Sequence, residues 1–216
     1  MIRVALADDQ AMIRAGLRMV LETEPDLQVV AEASDGADAL AVTHRTRPDV
    51  VLLDIAMPRL DGLAAARQIA ALPTPPRIIM LTTFDSDDNL YSALRAGASG
   101  FLLKVSPPEQ LVAAIRVVAG GAALLDPAVT TRVIAAFAHQ PDPQPPPALA
   151  QLTPRELDVL QLLARGLSNA EIADHLTLGE ATVKTHVARV LMKLGLRDRV
   201  QAVVYAYENG VIRVGG

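Results

Sequence analysis

The chain has 216 residues, of which 51% are hydrophobic and only 3% aromatic, so its core must be built mainly from aliphatic side chains. It contains no cysteine, which excludes disulfides and thiolate metal sites. The net charge is −4, so bulk charge does not indicate nucleic-acid binding, and charges interrupt the longest apolar stretches, which argues against a membrane span. Without a recognisable signal peptide, the sequence predicts a soluble, cytoplasmic protein that does not contact the membrane.

The first part of the chain alternates strand-like and helix-like segments. Apolar runs predict strands at 2–7, 27–33, 50–54, 77–82 and 100–104. Apolar residues at helical spacing predict helices at 11–23, 36–47, 63–72, 87–97 and 107–121. Five βα units in succession predict an α/β domain over 1–121, with a five-stranded parallel sheet covered by helices on both faces.

A proline-rich segment separates this domain from the rest of the chain. The stretch "AHQPDPQPPPALA" at 138–150 contains five prolines and no apolar periodicity, which is typical of an extended, semi-rigid linker. The residues just before it, 124–139, predict one connecting helix. We therefore assign 122–148 to the connection and 149–216 to a second domain.

The second domain shows only helical patterns. Helices are predicted over 153–166, 168–176, 179–195 and 197–210. The first two begin with capping boxes, Thr153 with Glu156 and Ser168 with Glu171. The sequence thus predicts a small all-α domain.

Polar residues follow the predicted strands of the first domain at their carboxyl ends, where open parallel sheets bind ligands. They are Asp8, Asp9, Asp54, Thr82, Thr83 and Lys104. A single aspartate after a strand usually caps a loop or helix, but all of these fall on one edge of the sheet. Clustered carboxylates favour a cation, and hard oxygen ligands favour Mg²⁺. Asp54 is then a candidate nucleophile toward a phosphoryl group, which Lys104 and Thr82 would contact.

Four motifs in this half resemble the receiver domain of two-component response regulators. They are "ADD" at 7–9, "LLDIAMPRLDG" at 52–62, "LTT" at 81–83 and "GFLLK" at 100–104. The resemblance covers residues 2 to 121 and implies a flavodoxin-like, doubly wound sheet with strand order 2-1-3-4-5.

The same resemblance implies roles for individual residues. It implies that Mg²⁺ binds to Asp8, Asp9, Asp54 and the backbone carbonyl of Ala56. It also implies that Asp54 accepts phosphate from a histidine kinase, that Thr82 and Lys104 contact this phosphate, and that Phe101 changes rotamer on activation. Phe101 is equally well explained as a core aromatic. Two positions depart from the family pattern: Arg59, where glycine is frequent, and Val105, where an acidic residue or proline is frequent.

The stretch "LTPRELDVLQLLARGLSNAEIADHLTLGEATVKTHVARVLMKLG" at 152–195 resembles the LuxR-type (NarL/FixJ) helix-turn-helix, and the resemblance spans 151–205. In such a motif the second helix enters the major groove of double-stranded DNA. On "ATVKTHVARVLMKL" the valines and leucines repeat at helical spacing and should face the core. The opposite face carries the residues to which the resemblance gives DNA contact: Lys184, Thr185, Ala188 and Arg189. An isolated helix with this pattern would simply be solvated.

The last predicted helix is the candidate for pairing two copies, which is the role that the LuxR resemblance implies for it. Val200 and Val204 could pack inward and leave Val203 and Tyr207 for a partner, or all four could belong to the core. We expect the unphosphorylated receiver to block DNA binding, and phosphorylation to favour a homodimer.

Taken together, the sequence predicts a phosphorylation-dependent transcriptional regulator rather than an enzyme. One alternative is an Mg²⁺-dependent phosphotransferase or phosphatase with Asp54 as nucleophile, but "DIAMP" offers no second aspartate two residues beyond it. Another is a regulator controlled by partner proteins instead of phosphate, which the complete acidic pocket disfavours.

Overall fold

A computed structural model gives the fold of the chain and describes residues 1–82, 92–93, 95–121 and 147–212. The chain divides into two compact units, Met1–Leu124 and Leu125–Gly216. Most of the predicted helix at 87–97, the whole of the one at 124–139, Thr83 and most of the proline-rich linker lie outside the described residues.

The first unit is built on a five-stranded sheet. Its strands are β1 (Ile2–Ala7), β2 (Leu27–Ala33), β3 (Val50–Asp54), β4 (Arg77–Thr82) and β5 (Gly100–Leu103). All neighbouring pairs are parallel and the order is β2-β1-β3-β4-β5. The predicted fold class and strand order are therefore confirmed, and only β5 is shorter than predicted, because Lys104 already lies in the following turn.

Four described helices of this unit are α1 (Ala11–Glu22), α2 (Gly36–Thr46), α3 (Gly62–Ala70) and α4 (Pro108–Ala119). The strands read as nearly continuous apolar runs because helices cover the sheet, and parallel strands are buried on both faces. Leu6, Leu52 and Ile79 of the sheet are fully buried and form one core cluster with Ile115 and Val118 of α4. This core fixes the strand ends, and with them the polar residues that follow.

The described part of the second unit contains a short 3-10 helix, Pro147–Gln151, and the helices α5 (Pro154–Ala164), α6 (Asn169–Leu176), α7 (Glu180–Leu194) and α8 (Arg199–Glu208). Both predicted capping boxes are present, at the starts of α5 and α6. Within the described part of the chain, no helix is both long and apolar enough to cross a bilayer.

The 3-10 helix corrects part of the linker prediction. Residues 147–150 were expected to be extended, yet they form a helical turn that packs against α7. Lys193 of α7 donates a hydrogen bond from Nζ to the Gln151 carbonyl at 3.1 Å. Proline is well tolerated at the first position of a helical turn, since its φ already suits a helix and its missing N–H is not needed there.

The last helix, α8, decides between the two interpretations of its apolar residues. Val200, Val203, Val204 and Tyr207 are all buried, with at most 8% of any of them exposed. The expectation that Val203 and Tyr207 remain free for a partner is therefore wrong, and the alternative that all four belong to the core is correct. The physical reason is that α8 packs against both α5 and α7, which requires an apolar surface wider than one stripe.

Candidate functional sites

Three carboxylates meet at the carboxyl edge of the sheet. Asp8 and Asp9 follow β1, and Asp54 ends β3, which lies next to β1 in the sheet. Their carboxylate oxygens lie within 4.8 Å of one another. Asp8 and Asp54 are buried and Asp9 is exposed, so the cluster opens to solvent on one side. The structure thus brings together the three aspartates that the sequence pattern placed on this edge.

Lys104 lies between the two buried aspartates. Its Nζ is 2.6 Å from Asp8 Oδ2 and 2.9 Å from Asp54 Oδ2. Its backbone N–H donates to the Thr82 carbonyl at 2.8 Å, which ties the lysine to the end of β4. Burial lowers the pKa of the Lys104 ammonium, but its hydrogen bonds with Asp8 and Asp54 outweigh this, and the pKa lies above its ordinary value. The lysine therefore carries a full positive charge in the pocket.

The negative charge of Asp54 is only partly compensated inside the pocket. Burial raises the pKa of its carboxyl, and the hydrogen bond from Lys104 opposes this without cancelling it. The nearby Asp8 charge raises the pKa further, while a hydrogen bond from the Ala56 backbone lowers it. One lysine thus serves two buried carboxylates, with the exposed Asp9 beside them. A hard divalent cation fits this all-oxygen donor set, because Mg²⁺ binds through few carboxylates and keeps several waters.

The structure also gives the positions of Thr82, Ala56 and Phe101. Thr82 is 5% exposed and ends β4, one residue beyond the partner of Asp54 in the sheet register. Ala56 lies exposed in the loop after β3. Phe101 is 3% exposed and pairs with Met80, so period-2 alternation places its side chain on the same face of the sheet as Thr82. This burial agrees with a core aromatic, and the rotamer change remains a prediction.

Several residues that position the aspartates were not predicted. The Gln10 N–H donates to Asp8 Oδ1 at 2.9 Å, and the Arg14 guanidinium donates to the Asp8 carbonyl at 2.7 Å. Gly62 lies so close to Asp54 that a Cβ there would overlap the Asp54 carbonyl oxygen. The Asp-Gly pair at 61–62 is a turn signal that could have indicated this close approach.

The second unit presents its predicted DNA-contact residues on one face of α7. Lys184, Thr185, Ala188 and Arg189 are all exposed, whereas Val183 and Val190 are fully buried. Lys184 Nζ pairs with Glu180 one turn earlier at 3.0 Å. The Thr185 hydroxyl donates to the Ala181 carbonyl at 3.0 Å. The structure therefore brings the predicted set together on a solvent-exposed surface of one helix.

Two arginines hold α6 in place ahead of α7. Arg155 donates to the Leu176 carbonyl at the end of α6 at 2.6 Å. Arg199 donates to the Leu167 carbonyl and to Asn169 Oδ1 at the beginning of α6. Burial lowers the pKa of the Arg199 guanidinium. Both ends of α6 are thus fixed relative to α5 and α8, as a rigid helix-turn-helix unit requires.

Comparison with known proteins agrees with this architecture. Residues 4–116 match the family model described as a response regulator receiver domain, and residues 150–206 match the one described as bacterial regulatory proteins of the luxR family. The transcriptional regulatory protein LiaR of Bacillus subtilis is 41% identical over 212 residues, which is 98% of this chain and 100% of LiaR.

Two further relatives also match along their whole length. The uncharacterized transcriptional regulatory protein YxjL of Bacillus subtilis is 44% identical over 213 residues, 98% of both chains. The crystal structure of the response regulator ChrA, from a heme-sensing two-component system, has a TM-score of 0.54 and 37% identity and covers 98% of both chains. The chain therefore belongs to the two-component response regulators that join a receiver domain to a LuxR-type DNA-binding domain, a family of transcriptional regulators.

Proposed function

We propose that this regulator binds DNA under the control of phosphorylation at Asp54, with a sensor histidine kinase as phosphodonor and Mg²⁺ as the required cation. The observation that carries the proposal is the buried Asp54 carboxylate, which shares Lys104 with Asp8 and lies beside Asp9. The receiver would span 1–121 and the DNA-binding domain 149–216, joined by 122–148. The protein would act in the cytoplasm, without contact with a membrane.

In this proposal the phosphoryl group moves from the kinase histidine to Asp54. The bond from Asp54 Oδ to phosphorus forms as the phosphorus–nitrogen bond of phosphohistidine breaks. Lys104 would then pair with one phosphoryl oxygen and the Thr82 hydroxyl would donate to another. Asp8, Asp9, Asp54 and the Ala56 carbonyl would hold Mg²⁺, which when bound neutralises charge on the carboxylates and the phosphoryl group. Phe101 would respond to the movement of Thr82.

The proposed DNA contact uses the exposed face of α7. Lys184 suits a backbone phosphate, and Arg189 suits either a guanine edge or a phosphate. Thr185 can hydrogen-bond a base or phosphate, whereas Ala188 offers only apolar contact, for example with a thymine methyl. One such helix reads a short half-site, so we expect a homodimer of the phosphorylated protein on paired half-sites.

The phosphorylation assignment is tested by intact mass after incubation with acetyl phosphate and Mg²⁺. The wild-type chain should gain one hydroxylamine-sensitive phosphoryl group, and Asp54→Asn should gain none. Asp38→Asn is a matched control, since Asp38 is an exposed aspartate in the first turn of α2. Undiminished labelling of Asp54→Asn would overturn the assignment.

The same assay separates a regulator from a phosphatase. We propose that the protein is not an enzyme acting on a separate substrate, so an added phosphate ester should not be turned over while Asp54 is labelled. Sustained, Asp54-dependent hydrolysis of such an ester would instead support the enzymatic alternative.

The regulatory part of the proposal concerns the full-length protein. With beryllofluoride and Mg²⁺, a phosphoryl mimic, the protein should shift toward a dimer in sedimentation velocity and bind DNA more tightly. If its mass and its DNA affinity both stay unchanged, phosphorylation does not control this regulator through dimerisation.

A further inference from the structure

The loop between β3 and α3, residues 55–61, contains a residue in an unusual conformation. Arg59 has φ of 64°, in the left-handed region that side chains with a Cβ rarely adopt. It is also the position at which glycine is frequent in the family that the sequence resembles. A non-glycine residue keeps such a conformation only when its surroundings hold it there.

Arg59 is held by a buried carboxylate on a different element. Its guanidinium pairs with Asp35 Oδ2, and Asp35 is fully buried although 71% of the Arg59 side chain is exposed. The other oxygen of Asp35 accepts from the Asp38 N–H at 2.9 Å and so caps α2. Because an unpaired buried carboxylate is strongly unfavourable, this ion pair restrains Arg59.

A second tie lies next to the first. The Gly36 N–H donates to the Leu60 carbonyl at 3.0 Å, and a Cβ on Gly36 would overlap that same oxygen. Consecutive residues of the loop, Arg59 and Leu60, are thus docked on consecutive residues at the start of α2, Asp35 and Gly36.

The base of the same loop adjoins Asp54 of the acidic pocket. The Gly62 N–H donates to the Ile55 carbonyl at 2.9 Å, which closes the loop against Asp54. The Ala56 backbone hydrogen-bonds the Asp54 carboxyl. The loop is therefore fixed at its base to Asp54 and at its far side to α2, and Ala56 lies between these two anchors.

We propose that Arg59 is a positioning residue for cation binding: its ion pair with Asp35 holds the loop so that the Ala56 backbone faces the acidic pocket. The inference rests on the proposed function of that pocket. In this arrangement Arg59 and Asp35 support the cation site from outside, and neither residue binds the metal itself. Loss of either member should release the loop and weaken Mg²⁺ binding, as loss of an outer partner of a metal site generally does.

The test is isothermal titration of the full-length chain with Mg²⁺ alone. Arg59→Ala and Asp35→Asn should each raise the dissociation constant by about tenfold. Asparagine retains the capping oxygen of residue 35, so this variant loses the ion pair but keeps the α2 cap. The double variant should bind like either single variant, because both substitutions remove the same interaction.

Matched controls separate the pair from bulk charge. Arg67→Ala removes an exposed arginine of α3, and Asp38→Asn removes an exposed aspartate of α2. Arg59→Ala makes the chain more negative and would favour Mg²⁺ if only net charge mattered, so weaker binding identifies a local effect. Both controls should bind within about twofold of the wild type.

The possible outcomes are distinct. Absence of Mg²⁺ binding by the wild type would overturn the proposed function of the pocket itself. Wild-type binding with equal affinity in Arg59→Ala would overturn the positioning role while leaving the pocket intact. Additive losses in the double variant would show that Arg59 and Asp35 act independently and would also overturn it. A cooperative thermal melt of Arg59→Ala, which shows that the variant is folded, together with weaker Mg²⁺ binding, supports the proposal.

Discussion

The acidic pocket of the receiver and the exposed face of α7 both carry charges on which the proposed function depends, but the two regions hold these charges differently. In the pocket, Lys104 contacts Asp8 and Asp54 and only 5% of its side chain is exposed. On α7, Lys184 pairs with Glu180 while 63% of its side chain remains exposed. Buried charges must be compensated inside the fold, so the pocket defines the chemistry of its ligand. Exposed charges are compensated by water, so the α7 face indicates a class of partner without specifying a DNA sequence.

Of the substitutions that test this contrast, Lys104→Met is expected to cause the largest loss of stability. Removing the ammonium leaves two buried carboxylates without their shared cation, which should lower the free energy of unfolding by about 3–5 kcal/mol at neutral pH. Denaturant unfolding of the full-length chain without Mg²⁺ measures this loss. Adding Mg²⁺ should restore part of it, because the cation would replace the missing positive charge.

The matched variant for this comparison is Lys184→Met. It removes a lysine from an exposed ion pair, and such pairs contribute at most about 1 kcal/mol. Equal destabilisation by Lys104→Met and Lys184→Met would show that the pocket is no more tightly coupled to the fold than the α7 face is.

The next effect concerns the backbone beneath Asp54. Gly62→Ala would place a Cβ on the Asp54 carbonyl oxygen, and backbone atoms cannot move aside as a flexible side chain can. We expect a loss of about 3 kcal/mol of unfolding free energy, at the upper end of the range for overpacking, together with slower labelling of Asp54 by acetyl phosphate.

Gly16→Ala is the control for this substitution. Among the residues that the structure describes, none lies within 4 Å of a Cβ built at Gly16, which is an exposed residue within α1. Replacing a helical glycine by alanine in open space should stabilise the chain by about 0.5–1 kcal/mol. A destabilised Gly16→Ala together with an unaffected Gly62→Ala would contradict the close approach at Asp54.

The sequence predicted the fold and the pocket well because both depend on local patterns. Continuous apolar runs marked all five strands, and the structure brings Asp8, Asp9, Asp54 and Lys104, at the ends of β1, β3 and β5, together at one edge of the sheet. The two capping boxes were likewise visible as short motifs, Thr153 with Glu156 and Ser168 with Glu171.

What the sequence could not predict are contacts between distant residues and between helix faces. Lys193 and Glu156 are 37 residues apart, and no local pattern pairs them. Arg59 and Asp35 meet only because α2 and the β3–α3 loop share the same edge of the sheet. The burial of Val203 and Tyr207 was undecided for the same reason: a wide apolar face fits two neighbouring helices as well as a partner chain.

A smaller effect, dependent on pH, is expected from Glu156 in the second unit. The hydrogen bond from Lys193 at 2.6 Å and that from the Thr153 N–H at 2.8 Å lower the pKa of Glu156 from 4.5 to about 2. Because the folded state has the lower pKa, the ionised carboxylate stabilises the unit above pH 4.5, and this stabilisation is lost as the pH falls toward 2.

Hydrogen exchange of the α5 amides across this pH window measures the loss. Protection of α5 in the wild type should decrease as the pH falls from 4.5 toward 2, whereas Glu156→Gln should be less protected at neutral pH and change less across the window. Parallel curves for the two proteins would mean that Glu156 does not control the pH dependence of this unit.

The smallest effect concerns the proposed contact between the α7 face and DNA. Glu180 holds Lys184 in an exposed ion pair one helical turn away, at 3.0 Å. DNA contact through Lys184 must break this pair, and exposed pairs at this spacing contribute about 0.3–0.5 kcal/mol. Glu180→Gln should therefore tighten DNA binding by about twofold, since Lys184 is then free and one negative charge is removed from the face.

Lys184→Ala should have the opposite effect: it should weaken binding to all DNA sequences and reduce the slope of log affinity against log salt by about one. Fluorescence anisotropy with one operator and one unrelated duplex over a salt series measures both. Because the gain from Glu180→Gln depends on Lys184, it should shrink in the double variant. A full twofold gain in the Lys184→Ala background would mean that Glu180 acts by repelling DNA rather than by restraining Lys184.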